Sequence, residues 1–158
     1  MAALKLAQAS LIIDGALQEA RRLALAPVAV AVLDAGGQLV AFQREDRAGI
    51  ARFEIANAKA WGALGLGFGT RELTERAATM PSFVASLGAI TQGRMVPSPG
   101  GVLILADDQE VVGAVGVSGD TGDNDEACAL AGIAAGGLGA MPGGPLGLGC
   151  PGSVAAYE

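Results

Sequence analysis

The segment Val28–Asp34 runs Val-Ala-Val-Ala-Val-Leu-Asp, without alternation of apolar and polar positions. Such a run reads as a strand buried on both faces. A strand of that kind needs cover above and below, which points to a sheet between layers of helices. The rest of the chain supplies those layers. Leu4–Ala26 places Leu6, Ala9, Ile13, Leu17, Ala20 and Ala24 on one face, predicting an amphipathic helix that Pro27 stops. Ala35-Gly36-Gly37 is a tight turn, and Gln38–Arg44 is the hairpin partner of the first strand.

Further helices are predicted at Ile50–Leu66, at Arg71–Thr79 with Thr70 as its N-cap, and at Ser82–Ile90 beyond Pro81. Arg94–Val96 reads as a short strand, Val102–Ala106 and Glu110–Ser118 as longer ones, and Asp123–Gly136 as the last helix. The expected order is α-β-β-α-α-β-β-β-α, an α+β fold with a mainly antiparallel sheet. Residues 1–136 are the expected domain. Residues 137–158, rich in Gly and Pro, are expected to form an extended tail. Close layers demand small side chains. The chain has 25 glycines, and its 51% hydrophobic content includes only 4% aromatics, so backbones are expected to approach closely. Gly113 and Gly116 inside the last long strand mark such an approach or a bulge.

Composition also limits partners. The net charge of −6 and the interleaving of Arg44, Arg47 and Arg52 with Glu45, Asp46 and Glu54 argue against nucleic acid and anionic membranes. The apolar stretches are too short to span a bilayer, and Met1–Ser10 reads as the start of a helix rather than a signal peptide. Cys128 and Cys150 have neither metal-site nor disulfide spacing, which fits a reducing cytoplasm.

The chain contains no histidine. That excludes Ser-His-Asp and Cys-His catalysis and every His-ligated zinc or iron site. Gly113-Ala-Val-Gly116-Val-Ser-Gly119 is GxxGxxG rather than GxGxxG and has no Lys-Ser/Thr after it, so it matches neither nucleotide loop. Gly-Val-Ser118-Gly-Asp fails as a nucleophile elbow. Asp120, Asp123, Asn124, Asp125 and Glu126 miss the calcium-loop spacing, and helix capping accounts for them better than a cation. Lys59, inside Ile55-Ala-Asn-Ala-Lys-Ala-Trp61, is either a ligand-facing ammonium or a stem lying on an alanine surface with its head in water, and position alone favours the second. Arg44 and Asp46 either line a pocket mouth or form a solvated turn pair.

Taken in order, Arg44-Glu-Asp46, Ile55-Ala-Asn-Ala-Lys59-Ala, Thr70, Pro97-Ser-Pro-Gly100-Gly101-Val, Gly113–Gly119 and Asp125-Glu126 with Ala129 and Gly132 resemble the GlcG/HbpS family. This is the haem-binding or "haem-degrading" domain also found as the PduO C-terminal domain. The resemblance spans roughly residues 4–136. It implies a profilin-like fold with a five-stranded sheet flanked by helices, and a homo-oligomer. Two departures stand out. Val102-Leu103 replaces the family's Val-Pro, and the His that ligates iron in haem-binding relatives is missing.

The expected function is therefore binding of a small molecule, an organic acid in the first instance. Lys59, Asp125 and Glu126 are the candidate acid/base groups for a cofactor-free isomerase, hydratase or lyase step. Arg44, Asp46, Gly100, Gly101, Gly116, Ser118 and Gly119 are the candidate ligand-binding residues. No metal or cofactor is expected, haem being disfavoured for want of His. A tetrapyrrole carrier without His ligation and a non-catalytic accessory subunit are the alternatives.

Overall fold

The computed structural model describes residues 2–143. Its elements are α1 (Leu6–Arg22), β1 (Ala29–Asp34), β2 (Leu39–Arg44), α2 (Arg52–Leu66), α3 (Thr70–Thr79), α4 (Pro81–Ile90), β3 (Gly101–Leu105), β4 (Val111–Ser118), α5 (Gly122–Ala135) and β5 (Gly139–Met141). The five strands form one antiparallel sheet in the order β2-β1-β4-β3-β5. The α+β architecture expected from the sequence is the one observed.

β1 is buried along all of its apolar positions, as its lack of alternation requires. One face packs on α1 and α5: Val30, Val32, Val102, Ile104, Val115 and Val117 meet Ile12, Ile13, Ala129 and Ile133. The other face packs on α2, where Leu33, Leu103, Leu105 and Ala114 meet Ala60 and Ala63. Glycine controls how close α2 comes. A methyl group on Gly116 would overlap the carbonyl oxygen of Ala56, and one on Gly101 would overlap that of Lys59. The helix backbone therefore lies directly on the strand backbones. The ladder irregularities fall elsewhere, at Val32/Leu33 and at Ile104/Leu105. Gly116 marks a close approach, not a bulge.

Three local expectations are corrected. The first helix ends at Arg22 rather than Ala26, because Ala24 turns left-handed (φ 54°) and Leu25 N–H bonds back to the Ala20 carbonyl. Thr70 is the first residue of α3 and Gly69 its N-cap. The Thr70 hydroxyl instead accepts from the Gly101 N–H at 2.8 Å and ties α3 to the sheet. Arg94–Val96 is not a strand. Its side chains are taken up by α2, with Met95 packed against Gly62 and the Arg94 guanidinium 4.2 Å from the Trp61 ring centroid. The fifth strand is Gly139–Met141, which fills the free edge of β3. Thus the segment from residue 137 begins as part of the sheet, and the remainder of the expected tail, 144–158, lies outside the described residues. Among the described residues no helix is long and apolar enough to cross a membrane.

These contacts set an expected outcome. Gly116→Ala forces α2 off the sheet and lowers unfolding stability by about 1–3 kcal/mol or more, the usual cost of overpacking. A methyl on Gly88, in α4, meets nothing within 4 Å. Gly88→Ala therefore stabilises by about 0.5–1 kcal/mol through helix entropy. Urea midpoints of the two variants check both signs, and a tolerant Gly116 would refute the close seating.

Candidate functional site

Chemically active side chains gather at one end of the sheet, where β4 ends, β3 begins and α3 and α5 start. Lys59 projects from α2 on one face and reaches Asp125 in the first turn of α5 on the other. Its Nζ donates to Asp125 Oδ2 at 2.8 Å and to the Val117 carbonyl oxygen at 2.9 Å. Gly100, with φ 121°, leaves the passage open. A methyl there would sit 3.0 Å from both Lys59 Nζ and Asp125 Cβ. The second carboxylate oxygen of Asp125 accepts the Asp120 N–H at 3.0 Å. Both side chains are enclosed, at 3% and 2% exposure. The Lys59 head therefore lies in protein, bonded on each side, rather than in water. Burial pushes the Lys59 ammonium below its ordinary value and the Asp125 carboxyl above its own, each against the pull of the partner's charge.

A second, more open cluster adjoins it. Arg71 Nε donates to both oxygens of Glu126 at 3.0 Å, and Nη2 donates to Asp123 at 2.5 Å. Asp123 is 78% exposed, whereas Glu126 is nearly covered. Burial pushes the Glu126 carboxyl up, against the opposing effect of Arg71. Asp120 accepts from the Ala26 and Thr121 N–H groups and from Asn124 Nδ2. The acidic run is thus held by protein donors, and Thr121 caps α5 through the Asn124 N–H. Among the described residues, no buried side-chain nitrogen or oxygen lacks a partner.

The other candidates divide into two groups. Ser118 is buried and its Oγ accepts from Arg52 Nη1 at 3.1 Å. Gly100, Gly101, Gly116 and Gly119 are points where backbones touch, Gly119 against Pro27 and Val28. Arg44 and Asp46 are exposed, on the outer strand β2 and the loop after it, and among the described residues no hydrogen bond or ion pair joins them to the Lys59 group. Cys128 is buried in the α1–α5 layer, where burial pushes its thiol up to about 12, so it is not a nucleophile. The sequence reasoning passed over Arg71 and Arg52. The available signal for Arg71 is a cation in a helix's first turn, against the dipole, which calls for an acidic partner.

Away from this polar end lies an apolar groove of about 350 Å³. Leu73 and Ala77 of α3, Pro81, Val84 and Leu87 of α4, and Met95 line it. α4 has no charged residue and buries none of its side chains, so it stands as one wall of an open groove. Its sequence signal is a charge-free apolar decapeptide, Pro81–Ile90.

The family model "Haem degrading protein HbpS-like" matches residues 4–134. The chain belongs to the HbpS-like family. A Citrobacter freundii relative, an uncharacterized 15.0 kDa protein in the dhaT-dhaS intergenic region, is 37% identical over 100 residues, covering 63% of this chain and 68% of its own. The structure described as a PduOC:heme complex superposes with a TM-score of 0.79 at 29% identity, covering 87% of this chain and 98% of that one. HbpS of Streptomyces reticuli, in a double-mutant form, gives 0.74 at 31% identity, covering 85% and 87%. The five-stranded fold is shared with these neighbours. One of these neighbours was solved with haem, whereas the sequence-based expectation for this chain, which lacks His, is no cofactor.

The buried pair generates a stability test. Lys59→Ala leaves the Asp125 carboxylate enclosed and unpaired, a cost of about 3–5 kcal/mol. Replacing both partners, Lys59→Met with Asp125→Leu, recovers most of that loss. Denaturation of the single and double variants checks this. Equal losses in both would show that the pair's charge is not what matters.

Proposed function

We propose that this chain is a small-molecule-binding domain whose ligand lies in the groove between α3 and α4. The observation that carries this reading is α4 itself, a charge-free apolar helix that buries no residue yet walls a groove of about 350 Å³. Ligand pockets are typically concave and apolar, about 300–1,000 Å³ in size. The family description and the haem-bearing PduOC neighbour support an apolar, flat occupant.

A second reading, an organic acid at the polar end, is favoured by Arg71. An incoming carboxylate can replace the exposed Asp123 on its guanidinium, with Glu126 beside it as the acid/base group. Lys59 and Asp125 then brace the site from behind, Gly101 letting α2 approach and Gly100 leaving room for the pair. One thermal-shift screen separates the two readings, because a ligand at about 100 times its Kd stabilises by about 2.7 kcal/mol. Apolar compounds raise the melting temperature of the unaltered chain but not of Ala85→Trp, because Ala85 of α4 also lines the groove and the indole fills it. Organic acids that bind at the polar end do so for the unaltered chain but not for Arg71→Ala. If neither class raises it, small-molecule binding is refuted.

The outward side of α4 suits a homo-oligomer. Phe83 and Ile90 lie seven residues apart on one face of α4 and are 53% and 73% exposed. Two such helices meet without bringing like charges together. Phe83→Asp is expected to convert the assembly to monomer in analytical ultracentrifugation. An unaltered chain that is itself monomeric at micromolar concentration would end this proposal.

A further inference from the structure

We infer that the groove between α3 and α4 is the seat of this chain's own segment 145–148, Pro-Leu-Gly-Leu. A segment seated there competes with the ligand proposed above, so this rests on the groove reading and adds its regulation. Residues 145–148 lie outside the described residues, and the described chain leads them to the groove. β5 runs antiparallel to β3 and heads toward Gly101, which Thr70 ties to the start of α3. Gly143 then lies against the first turn of α3. A methyl on it would stand 2.6 Å from the Gly69 carbonyl oxygen and 3.1 Å from Glu72 Cβ. Its φ of 74° turns the chain at that point. Leu73, the residue after Glu72, is already a wall of the groove, and Ala77 lies about 6 Å further along the helix. Residues 144–148 can span up to about 17 Å when extended, which is enough to reach both.

The two surfaces match in chemistry. The groove's side chains are hydrocarbon apart from Met95, and α4 brings no charge to it. Residues 144–157 contain no Asp, Glu, Lys or Arg. In an extended backbone Leu146 and Leu148 fall on one side, and Gly147 leaves the other side clear. Pro145 has no N–H to desolvate, and its fixed φ lowers the entropy lost on seating. A segment tethered this closely competes at an effective concentration on the order of millimolar. Weak apolar contacts therefore hold it until a tighter ligand arrives.

Cys150 supplies the probe, because Cys128 is fully buried and a nitroxide reagent added to the folded full chain labels Cys150 instead. The expected result is paramagnetic broadening strongest at the Ala77, Val84 and Gly88 amides. It is lost in Leu146→Asp/Leu148→Asp and in Ala85→Trp, and it persists in Val154→Asp. The apolar dye ANS is expected to bind the Leu146→Asp/Leu148→Asp chain about tenfold more tightly than the unaltered chain, the gain for a groove closed about nine-tenths of the time. Broadening that is uniform, or that survives the paired Asp substitutions, overturns the inference. So does broadening passed only from a nitroxide-labelled chain to a second, isotope-labelled one, which would seat the segment on a neighbouring copy. Equal ANS affinity in the two chains, with ANS lost in Ala85→Trp, overturns the inference and keeps the groove as a ligand site. Broadening at α4 with no ANS binding in either chain supports the seat for 145–148 and overturns the ligand reading of the groove.

Discussion

The seating of α2 on the sheet governs the rest of the molecule. Gly101 and Gly116 let the helix backbone touch the strands, and only at that distance does the Lys59 stem reach Asp125 on the far face. The pair thereby joins the two helical layers around one end of the sheet. A buried pair is weak evidence for net stability, because desolvation of both charges offsets their attraction. Its effect is on geometry. The ammonium and carboxylate are satisfied in one relative placement of α2, β4 and α5, and any slippage leaves a charge unpaired.

That placement divides the chemistry of the surface. At the polar end each acid of the 120–126 run already has a protein donor, and the most accessible members are Arg71 and Asp123. The layers are closed over Lys59, so a reactive ammonium is not presented to solvent. Beyond Met95, α3 is held to the sheet through Thr70, and an apolar groove lies between it and α4. The layers that α2 fixes are tightly packed, whereas α4 touches chiefly α3 and is free to border a ligand. Membership of the HbpS-like family agrees with a small-molecule role. The absence of histidine separates this chain from His-ligated haem chemistry.

Most elements were legible because each carries a local signal. Val28–Asp34 shows the unbroken apolar run of a central strand, and Asp123–Gly136 shows an acidic helix start. The errors have the opposite cause. Arg94–Val96 has the residues of a strand, but Met95 and Arg94 are claimed by α2. Gly139–Met141 has almost no strand propensity, and it pairs because β3 offers an unfilled edge. Thr70 looks like a cap, yet its hydroxyl serves Gly101 across 31 residues of chain.

The same division holds for the site. From the sequence alone came the layered α+β fold, the exclusion of histidine chemistry, and the grouping of Lys59, Gly100, Gly101 and Asp125 as residues of interest. These follow from periodicity, composition and motif order, which are local properties of the chain. Only the tertiary structure decided that Lys59 is enclosed, that Glu126 and Asp123 belong to Arg71, that Arg44 and Asp46 stand apart, and that α4 borders a groove. Burial and pairing depend on which segments meet across the fold, and a side chain's chemistry is set by the neighbours it acquires there.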